Sequence, residues 1–215
     1  MAEIKFCGMT RAEDARAAGD LGARYVGVIF AESPRRVSDP KAREILAAAS
    51  KGTARAAVFG AATAADIADA AARLGLDVVQ LHGDPDVGAI ASVREKWSGL
   101  VWAVVRVAGD ALPDSAAPLF DVADAVVLDA RVTGKLGGTG VALPWDRLRE
   151  SVAPLRGRRT KLVLAGGLDP DNVARAVDAL EPDVVDVSSG VESSVGVKDH
   201  ARMRAFRDAV AGVRA

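Results

Sequence analysis

The chain has 215 residues, a formal net charge of −1 and a hydrophobic content of 50%. This length supports one sizeable core and is short for two, so we expect a single domain over residues 1–215. The near-neutral charge and the aromatic content of 4% exclude a broad basic face and a base-stacking platform, so no nucleic-acid partner is predicted.

The start of the chain and its cysteine content indicate where the protein works. The opening MAEIKF carries Glu3 and Lys5 where a secretory signal needs an unbroken apolar stretch. The longest apolar run, around residues 99–105, is far below the roughly 20 residues of a membrane helix. The lone Cys7 forms no internal disulfide, which fits a reducing compartment. We therefore expect a cytoplasmic protein with no membrane partner.

Short runs rich in valine and isoleucine alternate with alanine-rich helical patterns along the chain. Strands are predicted over residues 3–7, 24–30, 54–59, 77–82, 100–106, 124–129, 161–166 and 183–188. Helical patterns between them include residues 11–22, 39–50 and 63–75. Residue types predict N-caps at Thr10, Asp39, Thr63 and Asp169, and helix ends at Gly22, Gly52 and Gly75. The alternation predicts parallel strands with helical crossovers.

Two parallel architectures fit this alternation. A doubly wound sheet leaves two exposed edges, whereas a closed eight-unit barrel has none and needs about 200–250 residues. Eight units fit this length, so the predicted fold is an α/β chain forming a single (β/α)8 TIM barrel. Active sites of such barrels lie at the C-terminal ends of the strands. Candidate side chains do cluster at those ends: Cys7, Arg36, His82, Arg106, Asp129, Gly166, Gly167 and residues 188–190.

The stretch KFCGMTR places Cys7 at the end of the first predicted strand. Strand alternation directs Lys5 and Cys7 into the barrel, and Ile4 and Phe6 toward the surrounding helices. A free thiol titrates near 8.5, and the neighbouring lysine together with a following helix N-terminus would favour its thiolate form. A catalytic base and a buried structural cysteine both fit this position.

Alternation in DAVVLDA likewise puts Val127 and Asp129 on the inner face, with Val126 and Leu128 facing the helices. Burial at the mouth of an apolar lumen favours a protonated carboxyl, which suits a general acid. The alternative is an aspartate that braces a loop or caps a helix. The glycine-rich segment 130–145 that follows is predicted to be a mobile lid, which Pro144 ends as the first residue of the next helix.

Two segments, LAGGLDPDNV (164–173) and VDVSSGVE (185–192), each pass from an apolar strand into small residues. Glycine lets backbone N–H groups approach an anion closely, and a helix starting at Asp169 would add its dipole. The loops after strands 7 and 8 of such barrels commonly bind phosphate. Candidate phosphate contacts are therefore Gly166, Gly167, Ser188, Ser189 and Gly190. Tight turns chosen for packing are the alternative.

Other polar residues give weaker signals. Arg35 and Arg36 follow strand 2, where one of them is placed to bind a substrate carboxylate unless both are solvated. Gln80 and His82 would face the lumen from strand 4. His82 and His200 are far apart and have no carboxylate at ligand spacing, so neither a metal nor a cofactor is predicted.

Together these stretches resemble the phosphoribosylanthranilate isomerase family of tryptophan biosynthesis. The matching segments are KFCGMTR, VGVIFAESPRR, VVQLHG, VVLDA with GGTG, LAGGLDPDNV, VDVSSGVE and VKDH. They occur in the family's order and span nearly the whole chain. The first and last segments are distinctive together, whereas a GGL sequence alone is a weak signal.

The resemblance implies a metal-independent Amadori rearrangement of a small phosphorylated substrate, with Cys7 as base and Asp129 as acid. It places the anthranilate carboxylate on Arg36, other substrate contacts on His82 and Asp186, and the phosphate on the glycine- and serine-rich loops above. A monomer or a homodimer is expected. Another phosphosugar-binding barrel enzyme, or a catalytically silent barrel that binds a phosphorylated metabolite, remains as an alternative.

The chain departs from the family at two places. Leu143-Pro144 precedes Trp145 where the family usually has Phe-Asp, which removes a helix cap. Val195 stands where a proline is common, so a looser last loop is expected.

Overall fold

A computed structural model describes residues 1–130, 143–156 and 159–213. Eight parallel strands form a closed barrel in chain order, with β8 paired to β1. They are β1 (Glu3–Phe6), β2 (Tyr25–Ile29), β3 (Ala54–Phe59), β4 (Val78–Leu81), β5 (Leu100–Val107), β6 (Ala125–Ala130), β7 (Lys161–Leu164) and β8 (Val184–Val187). The predicted (β/α)8 barrel is confirmed. Each strand starts within one residue of its predicted start.

Helices connect the strands on the outside of the barrel. They are α1 (Ala12–Asp20), α2 (Asp39–Ala47), α3 (Ala64–Leu74), α4 (Val87–Arg94), α5 (Leu119–Val122), α6 (Trp145–Val152), α7 (Val173–Leu180) and α8 (His200–Gly212). The shortest, α5, lies in a connection that contains Pro113 and Pro118, and proline interrupts helical hydrogen bonding. Within the described ranges, no helix has the length and apolar character needed to cross a bilayer.

The predicted helix ends are partly confirmed. The Thr63 hydroxyl accepts the N–H of Asp66 and caps α3, as predicted. Gly75 ends α3 in a left-handed conformation, and Gly22 follows the last residues of α1 with positive φ, which is the geometry that glycine tolerates best. Gly52 also has positive φ but lies beyond the end of α2.

Three predicted N-caps are wrong. The caps of α1, α2 and α7 are Arg11, Ser38 and Asn172 in place of Thr10, Asp39 and Asp169. Thr10 instead donates to the carbonyl of Gly196, far away in the chain, and Asp169 accepts backbone N–H groups of its own turn. Asp39 is already the first residue of α2.

Strand alternation separates the barrel interior from the layer beneath the helices. Ile4, Phe6, Val126 and Leu128 belong to the large core between barrel and helices, as predicted. A second cluster fills the lumen and consists of Tyr25, Ala54, Ala56, Val78, Trp102, Val104, Ala125, Val127, Val163, Ala165 and Val184. The barrel is therefore a packed core, with polar side chains above it at the end where Cys7 lies and a second polar group, Glu3 and Lys161, at the opposite end.

The first and last loops of the barrel are fastened to each other. After β8 the chain forms a short antiparallel hairpin, β9 (Glu192–Ser194) and β10 (Val197–Lys198). The Thr10 hydroxyl donates to the carbonyl of Gly196, and Arg11 Nη2 donates to the carbonyl of Lys198 at 3.2 Å. The N–H of Lys198 donates to the buried carboxylate of Asp14. These bonds explain why KFCGMTR and VKDH contribute to one site although they lie at opposite ends of the chain.

The two departures from the family pattern lie in different surroundings. Leu143 is buried, and Pro144 is the N-cap of α6 without a side-chain hydrogen bond, so the helix starts one residue later than predicted and lacks a polar cap. Val195 is 62% exposed in the turn of the β9–β10 hairpin. Most of the predicted lid, residues 131–142, lies outside the described residues.

Candidate active site

A cleft of about 750 Å³, including its open mouth, lies at the C-terminal ends of the barrel strands. Eight of the predicted site residues line it: Cys7, His82, Asp129, Gly166, Gly167, Asp186, Ser188 and Ser189. Gly190 and Arg36 are not among the lining residues. The cleft thus brings together side chains that are up to 182 positions apart in the chain.

Cys7 follows β1 and turns its thiol into this cleft, with only 7% of the residue exposed. Gly27 on the neighbouring strand makes room for it, because a Cβ at that position would lie 2.9 Å from Sγ. Burial raises the pKa of Cys7 above its ordinary value, while the charge of Lys5 and a hydrogen bond with it act in the opposite direction. The protonation state of the Cys7 thiol therefore depends on the balance between its burial and the nearby charge of Lys5.

Lys5 lies fully buried in the lumen below Cys7. Its ammonium donates to Asp186 Oδ2 at 2.6 Å and to Gln80 Oε1 at 2.8 Å, and lies 5.8 Å from the ring centroid of Trp102. Although burial alone would lower the pKa of Lys5, Asp186 raises it above the ordinary value. Among the described residues, Asp186 Oδ1 has no hydrogen-bond partner, so this buried oxygen remains an acceptor for a bound molecule.

Asp129 occupies the end of β6, where it is 7% exposed. His82 Nε2 lies 3.2 Å from Asp129 Oδ2. Gly166, with φ of +79°, makes room on the other side, because a Cβ there would lie 2.8 Å from Asp129 Oδ1 and 2.7 Å from the backbone nitrogen of Ala130. The loop after β7 and the imidazole therefore fix the carboxyl between them.

The loops after β7 and β8 form one wall of the cleft. Gly166 and Gly167 both have positive φ, which lets the backbone turn back at the strand end. Ser188 leads into a single turn of 3₁₀ helix, Ser189–Val191. A Cβ on Gly190 would lie 1.9 Å from the carbonyl oxygen of Leu168. Gly190 thus holds the two loops together from behind the cleft wall.

Replacement of Gly190 by alanine is expected to force the β7 and β8 loops apart. A misplacement of about 1 Å at a binding site costs up to roughly a hundredfold in rate, so we expect kcat/KM to fall by at least about tenfold, chiefly through KM. Steady-state kinetics would measure this. Gly212→Ala is the matched control because nothing lies within 4 Å of a Cβ at that position. Equal kinetics in the two variants would contradict the assigned role.

Of the two arginines considered from the sequence, Arg35 lines this cleft and Arg36, the one chosen there, does not. Arg35 is 6% exposed and lines the cleft, whereas Arg36 is exposed. Arg35 lies in a turn that the N–H of Arg36 closes on the carbonyl of Ser33, and Arg36 pairs with Ile29 as an isolated bridge. Only one of the two side chains therefore reaches the interior, and the turn at Ser33 decides which one.

Glu192 and Lys198 complete the surroundings of Arg35, and sequence reasoning missed both roles. Glu192 accepts two hydrogen bonds from Arg35, each of 2.7 Å, and a third from Lys198 Nζ at 2.9 Å. Lys198 also donates to the carbonyl of Ser188 at 3.0 Å. The only sequence signal for Lys198 is its place in the VKDH segment, and that segment does not indicate Glu192 as the partner of the lysine.

Among the described residues, the cleft has no group of side chains suited to binding a metal ion. Within residues 1–130, 143–156 and 159–213, no three His, Cys, Asp or Glu side chains are grouped so as to hold a metal ion.

A thiol and a carboxyl facing one cleft at the C-terminal end of a closed barrel place this chain in the class of (β/α)8-barrel enzymes. Comparison with known proteins gives the particular family. The family model described as N-(5′-phosphoribosyl)anthranilate (PRA) isomerase matches residues 4–209, and the chain belongs to that family.

Individual relatives agree with this assignment over the full chain. An N-(5′-phosphoribosyl)anthranilate isomerase of Pseudomonas fluorescens is 41% identical over 208 residues, which cover 96% of this chain and 97% of the relative. The crystal structure of the Thermotoga maritima phosphoribosyl anthranilate isomerase is 32% identical, with a TM-score of 0.85 and coverage of 99% and 100%. Another solved isomerase, in complex with reduced 1-(o-carboxyphenylamino)-1-deoxyribulose 5-phosphate, is 32% identical with a TM-score of 0.82 and the same coverage.

Proposed function

We propose that Asp129 and Cys7 carry the first two proton transfers of the isomerase reaction, protonation of the ring oxygen and deprotonation of C2. The chain is a phosphoribosylanthranilate isomerase of tryptophan biosynthesis by its family, and this reaction converts an aminoaldose into an aminoketose. The observation that supports the assignment is that Cys7 and Asp129 line one cleft beside the β7 and β8 loops. An acid and a base on a common cleft are what such an isomerisation requires.

In the proposed sequence, protonated Asp129 donates its proton to the ribose ring oxygen of N-(5-phosphoribosyl)anthranilate. The bond between that oxygen and C1 breaks, and the nitrogen lone pair forms an iminium with C1. Cys7, as thiolate, then removes the proton from C2, and its electrons form the C1–C2 double bond of an enolamine. Transfer of a proton to C1 and loss of the hydroxyl proton at C2 give the ketone, 1-(2-carboxyphenylamino)-1-deoxyribulose 5-phosphate. The substrate is neither oxidised nor reduced overall.

The same cleft offers a partner for each polar part of the substrate. The phosphate lies on the loops after β7 and β8, against Gly166, Gly167, Ser188 and Ser189, with Gly190 supporting the wall. Asp186 Oδ1, which no described residue contacts by a hydrogen bond, accepts a hydrogen bond from a ribose hydroxyl. His82 holds the Asp129 carboxyl in place. Its contact with the substrate is therefore limited to the part of the substrate next to Asp129.

Arg35 binds the anthranilate carboxylate in this proposal, in place of Arg36. The guanidinium is fixed by Glu192 through Nε and Nη2, which leaves its remaining edge for a second anion. Arg35→Ala is expected to raise KM by at least about tenfold, because a charge-assisted hydrogen bond contributes about 1.5–3 kcal/mol. Arg36→Ala is the matched control and should leave KM within about twofold. The reverse pattern would return the role to Arg36.

The residues that line the described cleft run from Cys7 to Ser189 of one chain. The proposal therefore fits a monomer as well as a homodimer, and one solved structure is described as generated monomers of a dimeric isomerase from Thermotoga maritima. A reducing cytoplasm suits the free thiol that the mechanism needs.

The proposed function is tested by following the fluorescence of the anthranilate-bearing substrate with purified protein in the presence of EDTA. We expect the signal to decay with multiple turnovers and at an unchanged rate when the chelator is added. Substrate binding without turnover would favour a silent phosphometabolite-binding barrel. Turnover that stops with EDTA and returns with a divalent metal would contradict metal-independent acid–base chemistry.

A further inference from the structure

We propose that Glu192 is a positioning residue that holds the two anion contacts of the cleft at a fixed spacing, Arg35 for the carboxylate and Ser188 for the phosphate. This inference deepens the proposed function and rests on its assignment of those two contacts. Glu192 is not among the described residues that line the cleft. It therefore acts on a bound molecule through its neighbours.

The first observation is how Glu192 holds the arginine. Its carboxylate accepts hydrogen bonds from Arg35 Nε and from Arg35 Nη2, each of 2.7 Å. Two parallel bonds between a guanidinium and a carboxylate fix their relative orientation as well as their distance. The side chains of Arg35 and Glu192 are only 8% and 5% exposed, so water competes little for these bonds. Glu192 therefore sets the direction in which the free edge of the guanidinium points.

The second observation is that Lys198 extends this constraint to the loop after β8. Lys198 Nζ donates to Glu192 Oε1 at 2.9 Å, and to the carbonyl oxygen and the hydroxyl of Ser188 at 3.0 and 3.4 Å. These contacts use all three N–H donors of a lysine. Because the Ser188 hydroxyl accepts a hydrogen bond from Lys198, its own hydrogen can be donated to a phosphate oxygen in the cleft.

The third observation is that the two anion contacts approach the same point of the loop after β1. Gly8 has a φ of +70°, and a Cβ there would lie 2.7 Å from Arg35 Cδ and 2.7 Å from Ser188 Oγ. Glu192 and Lys198 join the other ends of these two side chains. The contacts thus form a closed ring, through which a shift of Arg35 is passed on to Ser188.

A positioning role and a role in balancing charge predict different results when Glu192 is neutralised. Arg35 and Lys198 are basic and Glu192 is the acidic member of the group, so its loss leaves the surroundings at least as positive as before. Anions would then bind as tightly as before or more tightly, because opposite charges attract. If Glu192 positions the two contacts, its loss weakens the binding of both kinds of anion.

The test measures the binding of three probes to the purified protein. The reduced product analogue is titrated by calorimetry, and benzoate and inorganic phosphate are titrated in competition with it. Glu192→Gln keeps the shape of the side chain but replaces one acceptor oxygen by an amide group, which cannot accept a hydrogen bond from Arg35. We expect the Kd of the analogue to rise at least about tenfold, and those of benzoate and phosphate to rise several-fold each.

Two further variants show whether Glu192 couples the two contacts. Arg35→Ala should weaken chiefly benzoate, and Lys198→Met should weaken chiefly phosphate, since each removes one side of the connection. Only Glu192→Gln should weaken both probes. A variant that is merely less stable would show fewer binding sites per chain at an unchanged Kd. Wild-type or tighter binding of either probe by Glu192→Gln would overturn the proposal.

Glu32→Gln is the control for the loss of an acidic charge. Glu32 is exposed and lines the same cleft, whereas the guanidinium of Arg35 bonds to Glu192. All three probes should bind to this variant no more weakly than to the wild type. Weaker binding of both anions here, equal to that in Glu192→Gln, would show that the charge alone matters and would overturn the proposal.

If Glu192→Gln does not fold, the double variant with Lys198→Met decides the matter, because it leaves no lysine buried without its acidic partner. Benzoate is then the informative probe, since Lys198→Met alone leaves the arginine bonded to Glu192. Weaker benzoate binding in the double variant than in Lys198→Met would support the proposal, and equal binding would overturn it.

Binding needs no turnover, so the proposed function and the role of Glu192 fail separately. The expected pattern of Kd values in a protein without isomerase activity would support the role of Glu192 and remove the catalytic assignment. Normal turnover together with wild-type Kd values in Glu192→Gln would do the reverse.

Discussion

Cys7→Ser is expected to lower kcat by at least about a hundredfold while the variant still binds the reduced product analogue. A hydroxyl gives up its proton far less readily than a thiol, and one positioned proton-transfer group is typically worth about 10²–10⁴ in rate. The two side chains differ little in size, and Gly27 leaves the same space open. The loss should therefore appear in kcat, with binding of the analogue nearly unchanged.

Ala31→Ser is the control for this substitution. Ala31 packs in the same small cluster as Cys7 and lines the same cleft, so the variant introduces a hydroxyl nearby without removing the thiol. Its kcat should stay within a few-fold of the wild type. Near-normal turnover in Cys7→Ser, measured with the anthranilate fluorescence assay, would remove Cys7 from the role of base.

Asp129→Asn is expected to cause a loss of similar size, about a hundredfold or more in kcat. The amide has the shape of the carboxyl and still fits beside His82 and above Gly166, but it has no acidic proton to give to the ring oxygen. Ring opening then lacks its acid. Substrate binding should persist because the phosphate and carboxylate contacts lie on other loops.

The control for this variant is Asp124→Asn, because Asp124 directly precedes β6 and so lies at the opposite end of the strand from Asp129. Asp124 accepts hydrogen bonds from Arg94 and from the N–H of Val101, far from the cleft mouth. Some loss of stability is expected there, with turnover per folded molecule unchanged. If both asparagine variants turned over at the wild-type rate, general-acid catalysis by Asp129 would be excluded.

The sequence predicted the parts of the site that follow from strand geometry. Alternation alone placed Cys7 and Asp129 inside the barrel and Phe6 and Leu128 outside it, and the structure confirms these positions. The order of the units then brought the β7 and β8 loops beside them. Both inferences succeed because side chains alternate with a period of two residues and the barrel is closed. Together these restrict which face of each strand can point into the lumen.

The parts that the sequence did not predict depend on loop geometry. Arg35 and Arg36 are chemically identical neighbours, so only the path of the turn after β2 selects the one that enters the cleft. The start of α7 at Val173 in place of Asp169 has a similar origin, because Asp169 bonds within its own turn. Such choices depend on contacts that a local pattern does not contain.

The Arg35–Glu192–Lys198 group shows a second limit. Its members lie up to 163 positions apart, and each is a charged residue of a type that usually lies on the protein surface. They are buried only because the β9–β10 hairpin is fastened over the first loop of the barrel. A charge that is buried by tertiary contact alone leaves no periodic signal in the sequence.

The spatial claim behind the mechanism is tested most directly by a crystal structure of the wild-type protein with reduced 1-(o-carboxyphenylamino)-1-deoxyribulose 5-phosphate. We expect Sγ of Cys7 at about 3–3.5 Å from C2, the separation of a near-attack geometry, with the Asp129 carboxyl within hydrogen-bond distance of the oxygen released from the ring. A ligand whose C2 lies beyond reach of the thiol, or whose reacting oxygen faces away from Asp129, would contradict the account.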